Sequence, residues 1–327
     1  MNYREFGSTG MRVSEISLGT WQLGGKWGTA YDRQNALKTL ETAYEQGINF
    51  FDTADVYNGG ESERSIGQFL KGKEGKAFVA TKCGRQITPH VSSGYTGEAI
   101  VKYTEDSLER LGLDTLDLIQ LHCPPTDVFY RPEIFETLQK LQQAGKIRHF
   151  GVSVERVEEG LKAMEYEGMS SIQVIYNMYR QRPDEFLFPT AKHKGVGIIV
   201  RVPLASGLLT GKFTADSVFG ASDHRFFNRN GEAFDKGETF SGVDYQLGVK
   251  AADELKKMFG AGQLTKYALR WILMQDAVGC VITGASSPEQ ITENVKASQM
   301  PALTEVQLAG VRSVYDRYIR NPVHYLW

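Results

Sequence analysis

The chain has 327 residues and carries 37 Lys and Arg against 39 Asp and Glu, which gives a formal net charge of −2. This balance, without a dense basic cluster, excludes the electrostatic footprint of a nucleic-acid-binding protein. No apolar run approaches the roughly 18 residues of a membrane span, and the polar N-terminus lacks a signal-peptide core, so we expect a cytoplasmic protein without a membrane partner. The length suits one large α/β barrel or two ordinary domains, and we favour a single domain over 1–327.

Residues 2–17 alternate around a glycine-containing turn, which predicts a β-hairpin able to plug one end of a barrel. Strands and helices then alternate along the chain. The predicted strands are 16–18, 48–53, 77–83, 117–122, 147–153, 171–177, 196–203 and 278–284. The predicted helices are 32–45, 61–71, 97–111, 132–144, 155–167, 184–194, 244–258, 263–275 and 288–298. Eight strands of this kind without a composition break indicate an α/β fold, a closed (β/α)8 TIM barrel of parallel strands.

One long segment after the seventh strand, 211–242, has no sustained hydrophobic period. Loops of this length within compact domains are usually functional or disordered. The segment is too aromatic for simple disorder, with Phe219, Phe226, Phe227, Phe234 and Phe240. We interpret it as a flap over the barrel mouth; a surface insertion packed on neighbouring helices is the alternative.

Three cysteines without a CxxC pair argue against a disulfide framework or a structural zinc site. Cys83 directly follows Lys82 and Cys123 directly follows His122, which are two candidate site residues, and Cys280 lies in the last strand. A redox role near the site is conceivable, but packing is the favoured interpretation.

Three successive strands end in Asp52, Lys82 and His122, and Tyr57 follows the first of them after a short loop. In a barrel of parallel strands these ends share one mouth. An ammonium about 4 Å from a phenol is worth roughly 4 kcal/mol at an effective dielectric of about 20, or about three pKa units. We therefore expect Asp52 to orient Lys82, Lys82 to lower the pKa of Tyr57, and His122 to offer a ring N–H to a substrate oxygen. The alternative is a structural ion pair beside two capped core residues.

A phosphate site is indicated near the end of the chain. Residues 284–288 lead from the eighth strand into a helix start, where backbone N–H groups attract phosphate. Barrel phosphate sites favour the loops after strands seven and eight, so 203–207 would form the other wall. No G-x-G-x-x-G follows the first strand, so a Rossmann domain is not indicated. Because a tyrosine acid serves carbonyl reduction, we expect this site to hold a hydride donor.

Together these residues resemble the aldo-keto reductase superfamily. The resemblance runs from residue 3 to about residue 299, and the stretches that carry it are 51–54 with Tyr57, 61–63, 81–82, 117–122, 151–153, 203–204 and 207–212. Residues 284–286 with 290 and 293–294 look like the long-loop bacterial and potassium-channel β-subunit branch. The resemblance implies a catalytic tetrad, here Asp52, Tyr57, Lys82 and His122. It also implies NADP(H), with NAD(H) possible, held across the barrel mouth without metal, and hydride transfer to an aldehyde, ketone or sugar carbonyl.

Cofactor-binding residues follow from the same resemblance, position by position. Those expected around the nicotinamide and the substrate side are Gly19, Thr20, Trp21, Asp52, Ser153, Gln173 and Arg201. Those expected around the pyrophosphate are Pro203, Leu204, Ser206 and Gly207. Those expected around the adenosine and its phosphate are Lys212, Arg225, Gly284, Ser286, Gln290, Glu293 and Asn294.

Three positions depart from the family pattern. Val154 replaces an Asn beside the serine that holds the carboxamide, so one hydrogen bond to the cofactor is expected to be missing. Arg201 replaces an aromatic residue that stacks on the nicotinamide; a guanidinium can also stack, but it adds a charge. Gln290 replaces an arginine that contacts the 2′-phosphate, which bears on the choice between NADPH and NADH.

Two other functions are compatible with the fold. A cofactor-binding redox sensor or regulatory subunit with little turnover is suggested by the likeness to channel subunits. A metal-dependent hydrolase is disfavoured because the six histidines include no HxH pair. Trp21, Trp27, Tyr57, the loop phenylalanines and the tail 325–327 suggest a partly aromatic pocket for sugar rings or aryl aldehydes, although packing is equally expected of the tail. The sequence does not predict an oligomeric state.

Overall fold

The computed structural model describes residues 1–25, 28–73 and 75–327. Its strands are β1 (Tyr3–Glu5), β2 (Arg12–Ser14), β3 (Ile16–Gly19), β4 (Phe50–Asp52), β5 (Phe78–Cys83), β6 (Leu116–His122), β7 (Ile147–Ser153), β8 (Met169–Ile175), β9 (Gly197–Arg201) and β10 (Val278–Gly284). Its α-helices are α1 (Arg33–Glu45), α2 (Glu61–Leu70), α3 (Gly97–Leu111), α4 (Pro132–Gln143), α5 (Val157–Ala163), α6 (Leu187–Lys194), α7 (His224–Phe227), α8 (Tyr245–Phe259), α9 (Leu264–Leu273), α10 (Pro288–Val295), α11 (Glu305–Val314) and α12 (Arg320–Val323).

The eight strands β3 to β10 form a closed barrel in which every neighbouring pair is parallel. Closure occurs where β10 pairs with both β3 and β9. The barrel strands are almost entirely buried because side chains of the barrel interior cover one face and the helices cover the other. The predicted (β/α)8 barrel is confirmed.

The hairpin of β1 and β2 lies across one end of the barrel, as predicted. Its apolar residues Phe6, Met11 and Val13 are buried against interior side chains that include Phe50 and Leu118. The Phe6 ring centroid lies 5.7 Å from that of Phe50. This end is therefore filled with apolar side chains, and the opposite end is the one available for a site.

Local signals fix the helix ends. The α3 helix has a signal at each end. The Thr96 side chain accepts a hydrogen bond from Ala99 N at the start, and Gly112 ends the helix at a φ of 65°. Several elements are shorter than predicted; α5, for example, ends at Ala163 rather than near 167. The helices α11 and α12 were not predicted. Among the described residues, no helix combines the length and apolar character required to cross a membrane.

Candidate active site

Four polar side chains meet at the open end of the barrel. Asp52 is the last residue of β4, Lys82 lies near the end of β5, and His122 is the last residue of β6. The parallel register places these positions side by side, since Asp52 pairs with Ala80 and Lys82 pairs with Gln120. The sequence prediction that strand ends bring Asp52, Lys82 and His122 together agrees with this geometry.

Asp52 and Lys82 form a buried ion pair. Lys82 Nζ lies 2.5 Å from Asp52 Oδ1 and donates to the carbonyl oxygen of Thr53 at 2.7 Å. The other oxygen, Asp52 Oδ2, accepts from Gln173 Nε2 at 2.7 Å. Burial raises the pKa of Asp52, with Lys82 opposing that rise. Burial alone would lower the pKa of Lys82, but Asp52 and Tyr57 together more than compensate and raise it, so the ammonium remains charged.

Tyr57 reaches back to this pair from the loop after β4. The chain turns through positive φ values at Asn58 (50°), Gly59 (62°) and Gly60 (88°), a conformation that glycine adopts without steric penalty. The turn leaves the Tyr57 hydroxyl 3.5 Å from Lys82 Nζ. Asp52, Lys82 and Tyr57 thus form one hydrogen-bonded series leading towards solvent.

The expected lowering of the pKa of Tyr57 is not the net result. Burial raises that pKa, and the opposing charge of Lys82 does not overcome it. Part of the reason is that Asp52 sits behind the ammonium and acts in the same direction as burial. In this structure Tyr57 is therefore a neutral phenol at pH 7, which is the protonation state that a proton donor requires.

His122 completes the group beside Tyr57, with their ring centroids 5.8 Å apart. Burial, followed by the positive charges of Arg85 and Lys82, holds the pKa of His122 well below its usual value. The imidazole is consequently neutral at pH 7 and acts as a hydrogen-bond donor rather than as an acid. Its Nδ1 is buried and has no hydrogen-bond partner among the described residues.

A cavity of about 720 Å³ extends from these residues across the barrel mouth. Of the predicted site residues, the ones that line it are Gly19, Thr20, Trp21, Asp52, Tyr57, His122, Gln173, Arg201, Pro203, Leu204, Ser206, Gly207, Lys212, Arg225, Gly284, Gln290, Glu293 and Asn294. Gln22, His224, Glu238 and Lys266 also line it and were not predicted. Its lining residues run from the end of β4 to α10. An extended dinucleotide requires a cavity that spans the barrel mouth in this way.

Three predicted residues are not among those that line the cavity, and the first of them, Lys82, is fully buried. Ser153 is fully buried, and its Oγ lies 3.3 Å from Cys123 Sγ. Ser286 lies at the start of α10, where its backbone N–H donates to Gln290 Oε1 at 2.8 Å. Gln290 is therefore oriented by Ser286, and the expected contact of both with the adenosine stays a prediction.

The long loop covers the open end, as predicted for 211–242. Trp21 contacts the loop at two rings, with centroid distances of 5.0 Å to His224 and 6.1 Å to Phe234. The same loop also packs on α8, because the buried rings of Phe219 and Phe240 lie with centroids 5.9 Å and 5.1 Å from that of Tyr245. Both interpretations of the loop thus hold for different residues. Trp27, which was also expected near the pocket, lies outside the described residues.

The family model described as Aldo/keto reductase family matches residues 15–316. The chain belongs to the aldo/keto reductase family. Enzymes of this family are oxidoreductases that use nicotinamide cofactors and act on small carbonyl compounds.

Relatives within the aldo/keto reductase family span nearly the whole chain. Aldo-keto reductase YhdN of Bacillus subtilis (strain 168) is 31% identical over 326 residues, covering 99% of this chain and 96% of the relative. The NADH-specific methylglyoxal reductase of Escherichia coli (strain K12) is 31% identical over 313 residues, covering 89% and 91%. The probable voltage-gated potassium channel subunit beta of Arabidopsis thaliana is 29% identical over 341 residues, covering 99% and 100%. These relatives confirm the branch expected from the sequence.

A solved structure in the family agrees with the fold. The glycerol dehydrogenase AKR11B4 from Gluconobacter oxydans superposes with a TM-score of 0.78 at 30% identity, covering 100% of this chain and 98% of that one. The similarity extends over the hairpin, the barrel and the C-terminal helices.

Arg201, one of the departures from the family pattern, lines the cavity and is held by hydrogen bonds from its N–H groups, which lie in the plane of the guanidinium. Its guanidinium donates to Val154 O at 3.0 Å and lies 2.9 Å from Glu155 and 3.2 Å from Glu238. Arg85 pairs with the same two carboxylates, at 3.5 Å from Glu155 and also with Glu238. Two arginines and two glutamates thus form a buried cluster that joins β5, β7, β9 and the long loop.

The two glutamates of this cluster differ in pKa. Burial raises the pKa of Glu155 to about 8, and although burial also disfavours the charged form of Glu238, Arg85 and Arg201 bring its pKa to about 2. Cys123, Glu155 and Glu238 have ligand atoms within 4.8 Å of one another. A cation there would face the two guanidiniums, so the arrangement fits an ion cluster rather than a metal site.

Proposed function

We propose that the chain is an NAD(P)H-dependent oxidoreductase that interconverts an aldehyde, ketone or sugar carbonyl and the corresponding alcohol, with Tyr57 as the proton donor. The observation that carries the proposal is the series Asp52, Lys82 and Tyr57, joined at 2.5 Å and 3.5 Å at the inner end of the cavity. His122 lies against Tyr57 at the same point.

The residues divide the reaction between them. The nicotinamide cofactor supplies the hydride, which goes to the carbonyl carbon. The Tyr57 hydroxyl gives its proton to the carbonyl oxygen, and the O–H bond of the phenol breaks as that of the alcohol forms. His122 donates a ring N–H to the same oxygen, which supports the charge that develops on it. Lys82, held by Asp52, stabilises the phenolate left on Tyr57 until a proton returns from solvent.

The cavity residues fit an extended dinucleotide. In the middle of the cavity the backbone turns through φ values of 53° at Ser206 and 100° at Gly207, and we propose that the pyrophosphate lies against this turn. Lys212 and Lys266 lie at the far end, where an adenosine phosphate would meet positive charge. We propose NADP(H) as the preferred cofactor, with NAD(H) possible, and note that the methylglyoxal reductase relative is NADH-specific.

The test is the initial rate of NADPH and NADH oxidation over a panel of aldehydes, ketones and sugars, with wild type beside Tyr57→Phe. We expect the substitution to reduce turnover by at least about a hundredfold, the range of general acid catalysis, and to leave cofactor affinity within about twofold. Tyr130→Phe is the matched control, because Tyr130 is 65% exposed and outside the cavity. Turnover by Tyr57→Phe at the wild-type rate would exclude the assigned role.

A regulatory subunit that binds the cofactor with little turnover is the second candidate. It is favoured by the similarity to the Arabidopsis channel subunit beta over the full chain. That reading predicts tight NADPH binding, negligible turnover on the whole panel and a stable partner in pull-down experiments. Active turnover without a partner would exclude it. A single cytoplasmic domain over 1–327 remains a prediction of the sequence.

A further inference from the structure

The turn at Lys236–Glu238 connects the long loop to the cavity. Glu238 lines the cavity and pairs with Arg201 at 3.2 Å and with Arg85. Both arginines act on the groups around the proton donor, since both contribute to lowering the pKa of His122, and Arg85 also opposes the rise in the pKa of Tyr57. The position of this turn therefore decides where two of the charges at the barrel mouth lie.

Trp327 packs beneath this turn. Its indole is buried, and Nε1 donates to Asp235 Oδ1 at 2.8 Å. A Cβ added at Gly237 would lie 2.8 Å from Trp327 Cε2, and one added at Gly242 would lie 2.5 Å from the same ring. The indole thus fits only because these two loop positions lack side chains, and it contacts both ends of the segment that carries Glu238.

Arg180 contacts both the Trp327 indole and the loop segment. Its guanidinium lies 4.2 Å from the Trp327 ring centroid and donates to the carbonyl oxygens of Gly237 and Ser241, each at 3.2 Å. A guanidinium stacked on an indole is the strongest of the common cation–π arrangements. Asn177 reinforces the same segment by donating to Ser241 Oγ at 2.8 Å. The loop segment is therefore clamped between the end of β8 and Trp327.

Trp327 is not among the residues that line the cavity, so the expectation of an aromatic pocket does not extend to it. We propose that Trp327 is a positioning residue for the active site: with Arg180 and Asp235, its indole fixes the Lys236–Glu238 turn so that Glu238 stays paired with Arg85 and Arg201 across the mouth. The effect on binding rests on the function proposed above, whereas the effect on the turn does not.

Removing the indole should loosen the turn before it affects the barrel. Loops that cover a ligand open locally, and a ligand that is held under a loop dissociates faster when the open state is more populated. We expect Trp327→Ala to raise the Kd for NADPH about tenfold, which corresponds to about 1.4 kcal/mol. We expect kcat to change less than about threefold, because the Asp52, Lys82 and Tyr57 geometry is untouched.

Two measurements test this on the full chain. The first is the Kd for NADPH of wild type, Trp327→Ala, Glu238→Gln and the double variant. If Trp327 acts through Glu238, its substitution raises Kd about tenfold in the wild-type background and less than about twofold in Glu238→Gln, since coupled residues are not additive. Equal effects in the two backgrounds, or no effect in wild type, would overturn the proposal. Tyr325→Ala is the control, because Tyr325 is 70% exposed.

The second is the rate of tryptic cleavage after Lys236, which is exposed beside the turn and needs no cofactor. We expect about tenfold faster cleavage in Trp327→Ala and an unchanged rate in Tyr325→Ala, because proteases cut locally opened segments. Should Trp327→Ala fail to fold, two milder variants replace it: Trp327→Phe removes the indole N–H and one ring, and Asp235→Ala removes the carboxylate that accepts from it. Each should speed cleavage about threefold, and wild-type rates in both would overturn the proposal. A wild type that binds neither NADPH nor NADH would instead exclude the proposed function, with the cleavage result still standing.

Discussion

Replacing Lys82 by methionine separates the structural role of the buried ion pair from its chemical role. Methionine keeps the length of the side chain and removes the ammonium that lies 2.5 Å from Asp52 and 3.5 Å from Tyr57. Asp52 would then be a buried carboxyl whose remaining side-chain donor is Gln173. Because burial already raises its pKa, we expect Asp52 to take up a proton in the variant at pH 7.

The magnitude for turnover follows from the distances. An isolated ammonium 3.5 Å from the phenolate is worth about 5 kcal/mol at an effective dielectric of about 20. Asp52 Oδ1 can lie no more than about 6 Å from the Tyr57 oxygen, and its charge opposes the ammonium by about 3 kcal/mol on the same scale. The difference of about 2 kcal/mol predicts that Lys82→Met lowers kcat about thirtyfold.

The magnitude for stability is separate. Removing one partner of a buried ion pair typically costs about 3–5 kcal/mol, and we expect that loss in urea unfolding of Lys82→Met. The double variant Asp52→Asn, Lys82→Met should recover most of the stability and none of the turnover. The assay is kcat for the best carbonyl substrate beside the free energy of unfolding. Wild-type kcat in Lys82→Met, or recovery of kcat in the double variant, would refute the role of the ammonium.

Two further predictions concern the cofactor and pH. Lys212→Ala should weaken NADPH binding about tenfold, the range of one charged hydrogen bond, and leave NADH binding unchanged; Lys250→Ala on the exposed face of α8 is the control, and equal losses for both cofactors would contradict the assignment. Burial lowers the pKa of His224 to about 4, so between pH 6.5 and pH 4 the unfolded chain binds a proton that the folded chain does not. The free energy of unfolding should therefore decrease as the pH is lowered, by about 2 kcal/mol from pH 7 to pH 5. His224→Asn should lose that share of the dependence, and an unchanged slope would show that His224 titrates normally.

The barrel and the meeting of Asp52, Tyr57, Lys82 and His122 at its mouth could be predicted because both depend on local patterns. Buried strands read as short apolar runs, and parallel strands align their carboxyl ends, so the order of Asp52, Lys82 and His122 along the chain predicted their meeting. The hairpin plug was visible in the same way. The helix α11 was missed although Thr304 and Gln307 form a capping box at its start, which is a signal that the sequence carries.

The ion cluster could not be predicted from the same patterns. Arg85, Glu155, Arg201 and Glu238 lie on four separate elements, and Glu238 belongs to a loop without a hydrophobic period. The resemblance to the family predicted Arg201 at the nicotinamide, but no pattern in the sequence indicated that its guanidinium pairs with two carboxylates. The pKa of Tyr57 was misjudged for a related reason, because burial and the counter-charge of Asp52 are properties of the folded environment.

Single-turnover kinetics test the central claim most directly. Wild type and Tyr57→Phe would each be mixed with the best carbonyl substrate and one equivalent of NADPH that carries deuterium at the transferred position. The reaction is monitored by the loss of the reduced-cofactor absorbance, and the alcohol is analysed by mass spectrometry. We predict that wild type consumes the equivalent and places deuterium on the carbinol carbon, while Tyr57→Phe binds NADPH with wild-type affinity and consumes it at least about a hundredfold more slowly. Equal rates in the two proteins, or an alcohol without deuterium, would contradict the account.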